Sequence, residues 1–548
     1  MTNYAQEFLA DNFPPSAGAG SRLSSYWMVR NSSGFSWDRD ELNGRYVVLA
    51  VYLNDTYSLT ALPANGPVAP GEFACFHATI TLPLETGTLR LRAGLVHHNH
   101  AFFADHGAGS WETELTLYPN PYAAQEMEVA NSLAANYSYF LPSGGMVTRR
   151  DGGRWPVFAR EAKGARVQTE DGAEYIDYLM GWGSALLGHG HPRVVEAVGR
   201  EIGGGATLSL PHMGEVETGK AVLAAFPNHK MIQFGKNGSD VCTLAVRMMR
   251  AHTGRRRILF WGYHGWQDWF AGRLGFGGTG VTMDLADLHA FEYGNIPRLR
   301  RYLDERGNEI AGIIMEPGAA VLGIDGPIPE VDGDFLRGVR DACNEHQILL
   351  AFDEIYTGFR HPGGSAQAAT GVIPDITLLG KGLAAGYPLG ALLTQKWLFE
   401  STAGRVMYGP TYKGERIALA ACRAALSVYR ETDVPAQLHA FGTALREAVL
   451  ELPEASQLEL RWAGPPYRQM AIVGAGSNWL RAIRRTLLLQ ELLRRGVLSY
   501  KGLFLPSAAH GPRELEETVA GFHGALQAVV QAGDAPEAVR FLEIPPPG

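Results

Sequence analysis

Five short apolar runs constrain this chain more than any other feature. They fall at residues 231–234, 258–260, 313–315, 348–352 and 376–379, with longer amphipathic stretches such as 241–252 and 335–345 between them. Apolar runs of strand length without polar alternation belong to strands covered on both faces. Helical stretches between such strands supply the long connections that parallel pairing requires. Residues from about 138 onward therefore predict an α/β unit on a parallel sheet, and helix-rich stretches around 434–450 and 515–530 predict a smaller lobe completing it.

The front of the chain has a different grain. Residues 46–53, 73–82, 89–97 and 111–117 read as short β runs, separated by turn formers such as Pro63-Ala64-Asn65-Gly66-Pro67 and Pro70-Gly71. Alternation in Thr79-Ile80-Thr81-Leu82 and Thr88-Leu89-Arg90-Leu91-Arg92 adds to the pattern of a small all-β sandwich. Pro119 and Pro121 then interrupt both helix and sheet, and a helix is expected over 123–135. The expected division is a tail at 1–21, the sandwich at 22–119, a linker helix with the first part of the small lobe at 120–200, a large domain at 201–425 and a small domain at 426–548.

Composition removes several function classes. A net charge of −8 argues against a general nucleic-acid binder, and the run Arg255-Arg256-Arg257 reads as a solvated turn. Cys75, Cys242, Cys343 and Cys422 are scattered without ligand spacing, which argues against structural zinc and a disulfide framework and suits a reducing cytoplasm. The first residues lack a basic and apolar leader pattern, and no apolar run reaches 18 residues. A cytoplasmic protein without membrane partners is expected.

The ends of the apolar runs carry the reactive side chains. The run ending at Phe352 leads into Asp353-Glu354-Ile355-Tyr356, and ligands of open α/β sheets bind at such carboxyl ends. Asp353 there suits a cationic heterocycle, although taken alone a strand-end Asp is more often a cap of the next turn. The run ending at Leu379 leads into Gly380-Lys381-Gly382. A lysine between glycines can approach a ligand unobstructed, and burial can lower its pKa, although a lone lysine is ordinarily a surface residue. Its place 28 residues after Asp353, on the next strand, gives the pair weight. After the run at 231–234, Gly235-Lys236-Asn237-Gly238-Ser239-Asp240 opens a helix, where Gly238 lets the backbone approach an anion and Ser239 offers N–H and hydroxyl donors. After the run at 258–260, Tyr263 in Trp261-Gly262-Tyr263-His264-Gly265-Trp266 offers a flat face for a ring, or simply core packing. An imine-forming lysine, an anion for a pyridine nitrogen, an anion-binding helix start and a stacking ring are what pyridoxal phosphate (PLP) requires.

Taken in order, Gly238-Ser239-Asp240, Tyr263-His264-Gly265, Glu316-Pro317, Phe352-Asp353-Glu354, Gly380-Lys381-Gly382 and Gly409-Pro410-Thr411 resemble the class III aminotransferases of fold type I over about residues 138–540. Within them the segments Asp171–Tyr178 and Gly188–Pro192, and Phe359-Arg360, are similar to the glutamate-1-semialdehyde 2,1-aminomutase branch. The resemblance implies a large parallel-sheet domain plus a small α/β domain with PLP as cofactor. Lys381 would form the imine and shuttle the proton, and Asp353 would bind the pyridine nitrogen. Ile355 would lie under the ring with Tyr263 over it. Gly238 and Ser239 would bind the phosphate, and Glu316 would stand with the cofactor-binding set. Thr411 would reach the phosphate of a neighbouring subunit, implying a homodimer with shared sites. Trp182 would line the substrate entrance, and Arg149 and Arg150 lie near the place of a substrate-carboxylate arginine. Relatives often place a polar residue shortly after Glu-Pro, where this chain has Gly318-Ala319-Ala320-Val321.

The implied reaction is transfer of an amino group from an amino-acid donor to a keto or aldehyde acceptor. The alternatives are intramolecular aminomutation or another PLP isomerase or decarboxylase reaction, and a non-catalytic PLP- or glycan-binding role. Residues 87–106 resemble β-sandwich modules appended to bacterial glycosyltransferases and polysaccharide-export proteins, which points the acceptor towards sugars. His97, His98, His100 and His106 lack a matching carboxylate motif and read as strand-end histidines, so no metal is expected.

Overall fold

The computed structural model describes residues 4–11, 13, 15–20, 22–37, 46–61, 67–97, 101–119, 159–170, 172–271, 287–319, 328–500, 502–534, 538 and 541–542. Among the described residues, the strands before residue 119 are β1 Gln6–Asp11, β2 Ser16–Gly18, β3 Arg22–Asn31, β4 Val47–Leu53, β5 Thr56–Ala61, β6 Phe73–Thr81, β7 Gly87–His97, β8 Ala101–Phe102 and β9 Trp111–Tyr118. One sheet has the order β1-β3-β6, and the facing sheet has the order β2-β9-β7-β4-β5 with β8 beside β7. Every second residue of β7 from Leu89 to Leu95 is buried, the period of a strand with one face on a core. That core is filled by Trp27, Trp37, Phe76 and Phe103.

Residues 1–21 differ from the expected tail. They carry β1, which pairs antiparallel with β3, and β2, which pairs parallel with β9. Polar and turn residues around Asp11 and Pro14-Pro15 make these strands too short to stand out in the sequence. The outward face of the smaller sheet is covered as well. Met28 and Cys75 share a buried cluster with Leu445, Val449, Ala538 and Leu542 of the C-terminal lobe. The module is thus packed onto the lobe behind it. The expected linker helix at 123–135 lies outside the described residues.

The lobe begins with β10 Ala159–Lys163, β11 Arg166–Thr169 and β12 Glu174–Asp177, which join a late strand at Val497–Leu498 in one four-stranded sheet. The sheet of the large domain follows: β13 Met231–Gly235, β14 Arg257–Trp261, β15 Leu288–Ala290, β16 Ile310–Met315, β17 Leu349–Asp353, β18 Ile376–Leu379 and β19 Gly390–Thr394. Their order is β13-β19-β18-β17-β16-β14-β15. Every residue of β16, β17 and β18 is buried, as continuous apolar runs require. The sheet is mixed, since β19 runs antiparallel to β13 and β18. Only residues 380–389 link β18 to β19, too few for a parallel crossover. Helices Val434–Leu450, Asn478–Arg494 and Pro512–Gln531 close the small lobe. Among the described residues no helix is long and apolar enough to cross a membrane.

Candidate active site

Strand register brings the reactive residues together. Trp261 pairs with Met315, Met315 with Phe352, and Asp353 with Leu378. The residues just beyond these pairs, Gly262, Glu316, Asp353 and Lys381, therefore line one sheet edge, at the carboxyl ends of the parallel strands. Gly262 must be glycine: its φ is +102°, and a Cβ there would lie 2.6 Å from Glu316 Oε2. The free approach lets Tyr263 N–H donate to that oxygen at 3.0 Å.

Asp353 is 2% exposed. Its Oδ2 lies 2.8 Å from His264 Nδ1 and accepts from the Cys242 thiol at 3.6 Å, while Oδ1 accepts from Ile355 N–H at 3.1 Å. Burial, then the Asp353 charge, push the Cys242 thiol well above its ordinary value, so it stays a protonated donor. Cys242, His264 and Asp353 stand close enough to resemble a metal set, but a metal would need the thiolate that this environment disfavours. Neighbouring Glu354 is fully buried and accepts from Ala366 and Gln367 N–H and the Thr357 hydroxyl, which fixes the turn after β17.

The helix Gly238–Thr253 starts directly at the site, with the Asn237 side chain capping Asp240 N–H. Gly238 and Ser239 thus occupy its first turn, earlier than the expected start at 241, where N–H groups and the helix dipole favour an anion. Ser239 Oγ accepts from Trp266 N–H at 3.3 Å, and Gly265 (φ +98°) is the neighbour that makes room, since a Cβ there would sit 2.3 Å from that oxygen. Ile355 packs against Gly238 and Gly380, linking the anion turn to the lysine loop. Tyr263 is 51% exposed, with its ring edge-on to Phe270.

Lys381 sits half-buried with φ +44° in a short 3₁₀ turn, Lys381–Ala384. Its Nζ lies 4.9 Å from the centroid of the Tyr356 ring. Burial first, then the Arg468 cation, pull its amine down to about 8, with Glu316 opposing. In cofactor-free protein, competitive acetylation of Lys381 with acetic anhydride is expected to rise with pH to a half-point near 8; an ordinary lysine half-point near 10.5 would contradict this environment.

The sequence reading missed Arg468, Tyr356 and His264. Arg468 follows Tyr467 before the strand Gln469–Ile472, and its guanidinium reaches Glu316 Oε1 at 3.2 Å and the Tyr356 ring at 3.8 Å. An arginine flanked by Tyr467 and the apolar Met470-Ala471-Ile472 was the available signal, since such a charge must find a partner. His264 lay in a noticed motif without a role.

Trp182 lies on four successive left-handed residues, Met180, Gly181, Trp182 and Gly183, with φ from 47° to 77°. Such a run is costly for L-residues and must be held from outside. Asp177 Oδ1 accepts from Leu179 and Met180 N–H, Ser184 Oγ donates to Gly181 O, and Arg360 donates to Gly183 O. Trp182 meets Tyr500 edge-on at 4.6 Å. Thr411 is exposed in the turn before the helix Arg416–Glu431. Arg149, Arg150, His98 and His100 lie outside the described residues. His97 and His106 lie in the front module beside Tyr4.

These residues fit PLP: a lowered lysine amine, a buried carboxylate held by His264, Cys242 and the Ile355 N–H, and a helix start opened by Gly238 and Gly265. A model of the class-III aminotransferase family matches residues 147–275 and 281–464. Glutamate-1-semialdehyde 2,1-aminomutase of Methanothermobacter thermautotrophicus is 33% identical over 386 residues, covering 66% of this chain and 90% of that protein. The same-named protein of Syntrophobacter fumaroxidans is 31% identical over 424 residues, covering 71% and 95%. The solved structure of a PLP form of the Sphingopyxis sp. MTA144 FumI protein is 26% identical with a TM-score of 0.63, covering 70% of this chain and 92% of that one.

Proposed function

Because this chain belongs to the class III aminotransferases, which use pyridoxal phosphate, we propose that it moves an amino group from an amino-acid donor to a keto or aldehyde acceptor by a ping-pong route. The observation that carries this reading is the register that sets Asp353 and Lys381 on adjacent strand ends, with the lysine amine lowered by burial and neighbouring cations. Bound PLP supplies an aldehyde that takes up amines and an electron-withdrawing ring that acidifies the adjacent C–H.

The chain's residues do the rest. Lys381 Nζ takes the α-proton as base and returns it as acid. Asp353 would keep a proton on the pyridine nitrogen, and His264 and Cys242 hold its carboxylate in place. Gly238 and Ser239 would receive the phosphate at the helix start, and Tyr263 and Ile355 would cover the ring. Trp182 and Tyr500 narrow the entrance. The substrate carboxylate meets Arg468, whose pairing with Glu316 it displaces.

A homodimer shares these sites, with Thr411 at the phosphate of the other subunit. Supporting it, Leu210, Met213 and Tyr412 are exposed on two segments joined through His212 Nε2 and Gly414 O at 2.8 Å. The resemblance of the front module puts keto-sugars first among acceptors. A second reading, intramolecular aminomutation, is favoured by the identity to the aminomutases. Mass spectrometry of donor–acceptor incubations separates them: transfer releases a keto acid from the donor in amounts matching the aminated acceptor. Isomerised substrate with no released keto acid would overturn transfer in favour of aminomutation.

A further inference from the structure

Three cations share one buried ring. Arg468 Cζ lies 3.8 Å, Arg360 Cζ 4.3 Å and Lys381 Nζ 4.9 Å from the centroid of Tyr356. Tyr356 and Arg360 are almost fully buried. The hydrogen bonds of Arg360 run to carbonyl oxygens, those of Tyr356, Gly358 and Gly183. Glu316 faces Arg468 at 3.2 Å but divides its carboxylate with Tyr263 N–H. The corner therefore holds more positive charge than its carboxylates balance, and Arg468 Nε is buried without a hydrogen-bond partner among the described residues.

A ring face is a neutral surface that stabilises such cations without cancelling their charge. A carboxylate in its place would hold Arg468 more tightly and would also block an incoming anion. The ring reaches this position because Gly183 (φ +77°) has no side chain: a Cβ there would lie 2.8 Å from Tyr356 Cε2.

We propose that Tyr356 is a positioning residue for substrate recognition, its ring seating Arg468 beside Lys381 so that the site distinguishes carboxylate-bearing amines from bare ones. The proposal rests on the reading that Arg468 meets the substrate carboxylate. It implies that the phenol oxygen is dispensable and the ring face is not.

Two small probes test this on the PLP-loaded enzyme whatever its natural substrate. Aminooxyacetate carries a carboxylate and O-methylhydroxylamine does not, and both are followed by the change in cofactor absorbance. Unreactive succinate, titrated calorimetrically, gives a binding readout free of chemistry. Wild type and Tyr356→Phe are expected to prefer aminooxyacetate and to bind succinate alike. Tyr356→Leu is expected to lose about tenfold in both, the scale of a desolvated cation–π contact. Tyr356→Met, closer in length and flexible, reads the same if the leucine variant folds poorly. Arg468→Gln separates the two ideas. If it loses the preference while Tyr356→Leu and Tyr356→Met keep it, the role of Tyr356 is wrong. If Arg468→Gln keeps the preference, or wild type has none, the reading of Arg468 falls and that of Tyr356 with it.

Discussion

Lys381→Ala is expected to lose the visible absorbance of the lysine-linked cofactor and essentially all amine transfer. The side chain does two jobs with one nitrogen: it anchors the cofactor and moves the substrate α-proton. General acid–base catalysis alone is worth about 10²–10⁴-fold, and loss of the anchor adds to it. Among the described residues, Lys236 of the anion turn is held by Glu415 at 2.6 Å and is not free to substitute. Small added amines should restore part of the proton transfer, because they supply the missing base without the missing anchor. A variant that keeps the wild-type spectrum would place the cofactor on another residue.

Asp353→Asn ranks next. The substitution keeps size and removes charge, leaving His264 and Cys242 directed at a neutral amide. A preorganised electrostatic group of this kind is worth about 10²–10³-fold in kcat. KM and the thermal midpoint are expected to move little by comparison, because the amide still accepts from at least one neighbour. A kcat within tenfold of wild type would mean that the charge of Asp353 is not used in the reaction.

How much of this was legible in the sequence follows from the distance each contact spans. Strands β16, β17 and β18 are buried on both faces and leave unbroken apolar runs, so their strand ends, with Asp353 and Lys381, could be read directly. The antiparallel β19 left no such mark, because direction depends on the short link 380–389 and not on composition. The front strands β1 and β2 were hidden for a similar reason, since pairing with β3 and β9 makes them strands, whereas their own pattern is weak. Arg468 lies 152 residues from Glu316, and His264 lies 89 from Asp353. Neither pair has a local signature; each is created by the sheet edge and the lobe that closes over it. Trp182 was named from the family resemblance alone, and the left-handed turn that carries it depends on Asp177 and Arg360, which only the fold brings there.

The central claim is that Lys381 is the residue joined to the cofactor. Reducing the PLP-loaded enzyme with sodium borohydride fixes that bond, and peptide mass spectrometry then locates it. The phosphopyridoxyl mass is expected on the peptide containing Lys381 and on no other lysine. Its appearance on a different lysine, or its absence from a protein that retains cofactor absorbance, would contradict the account.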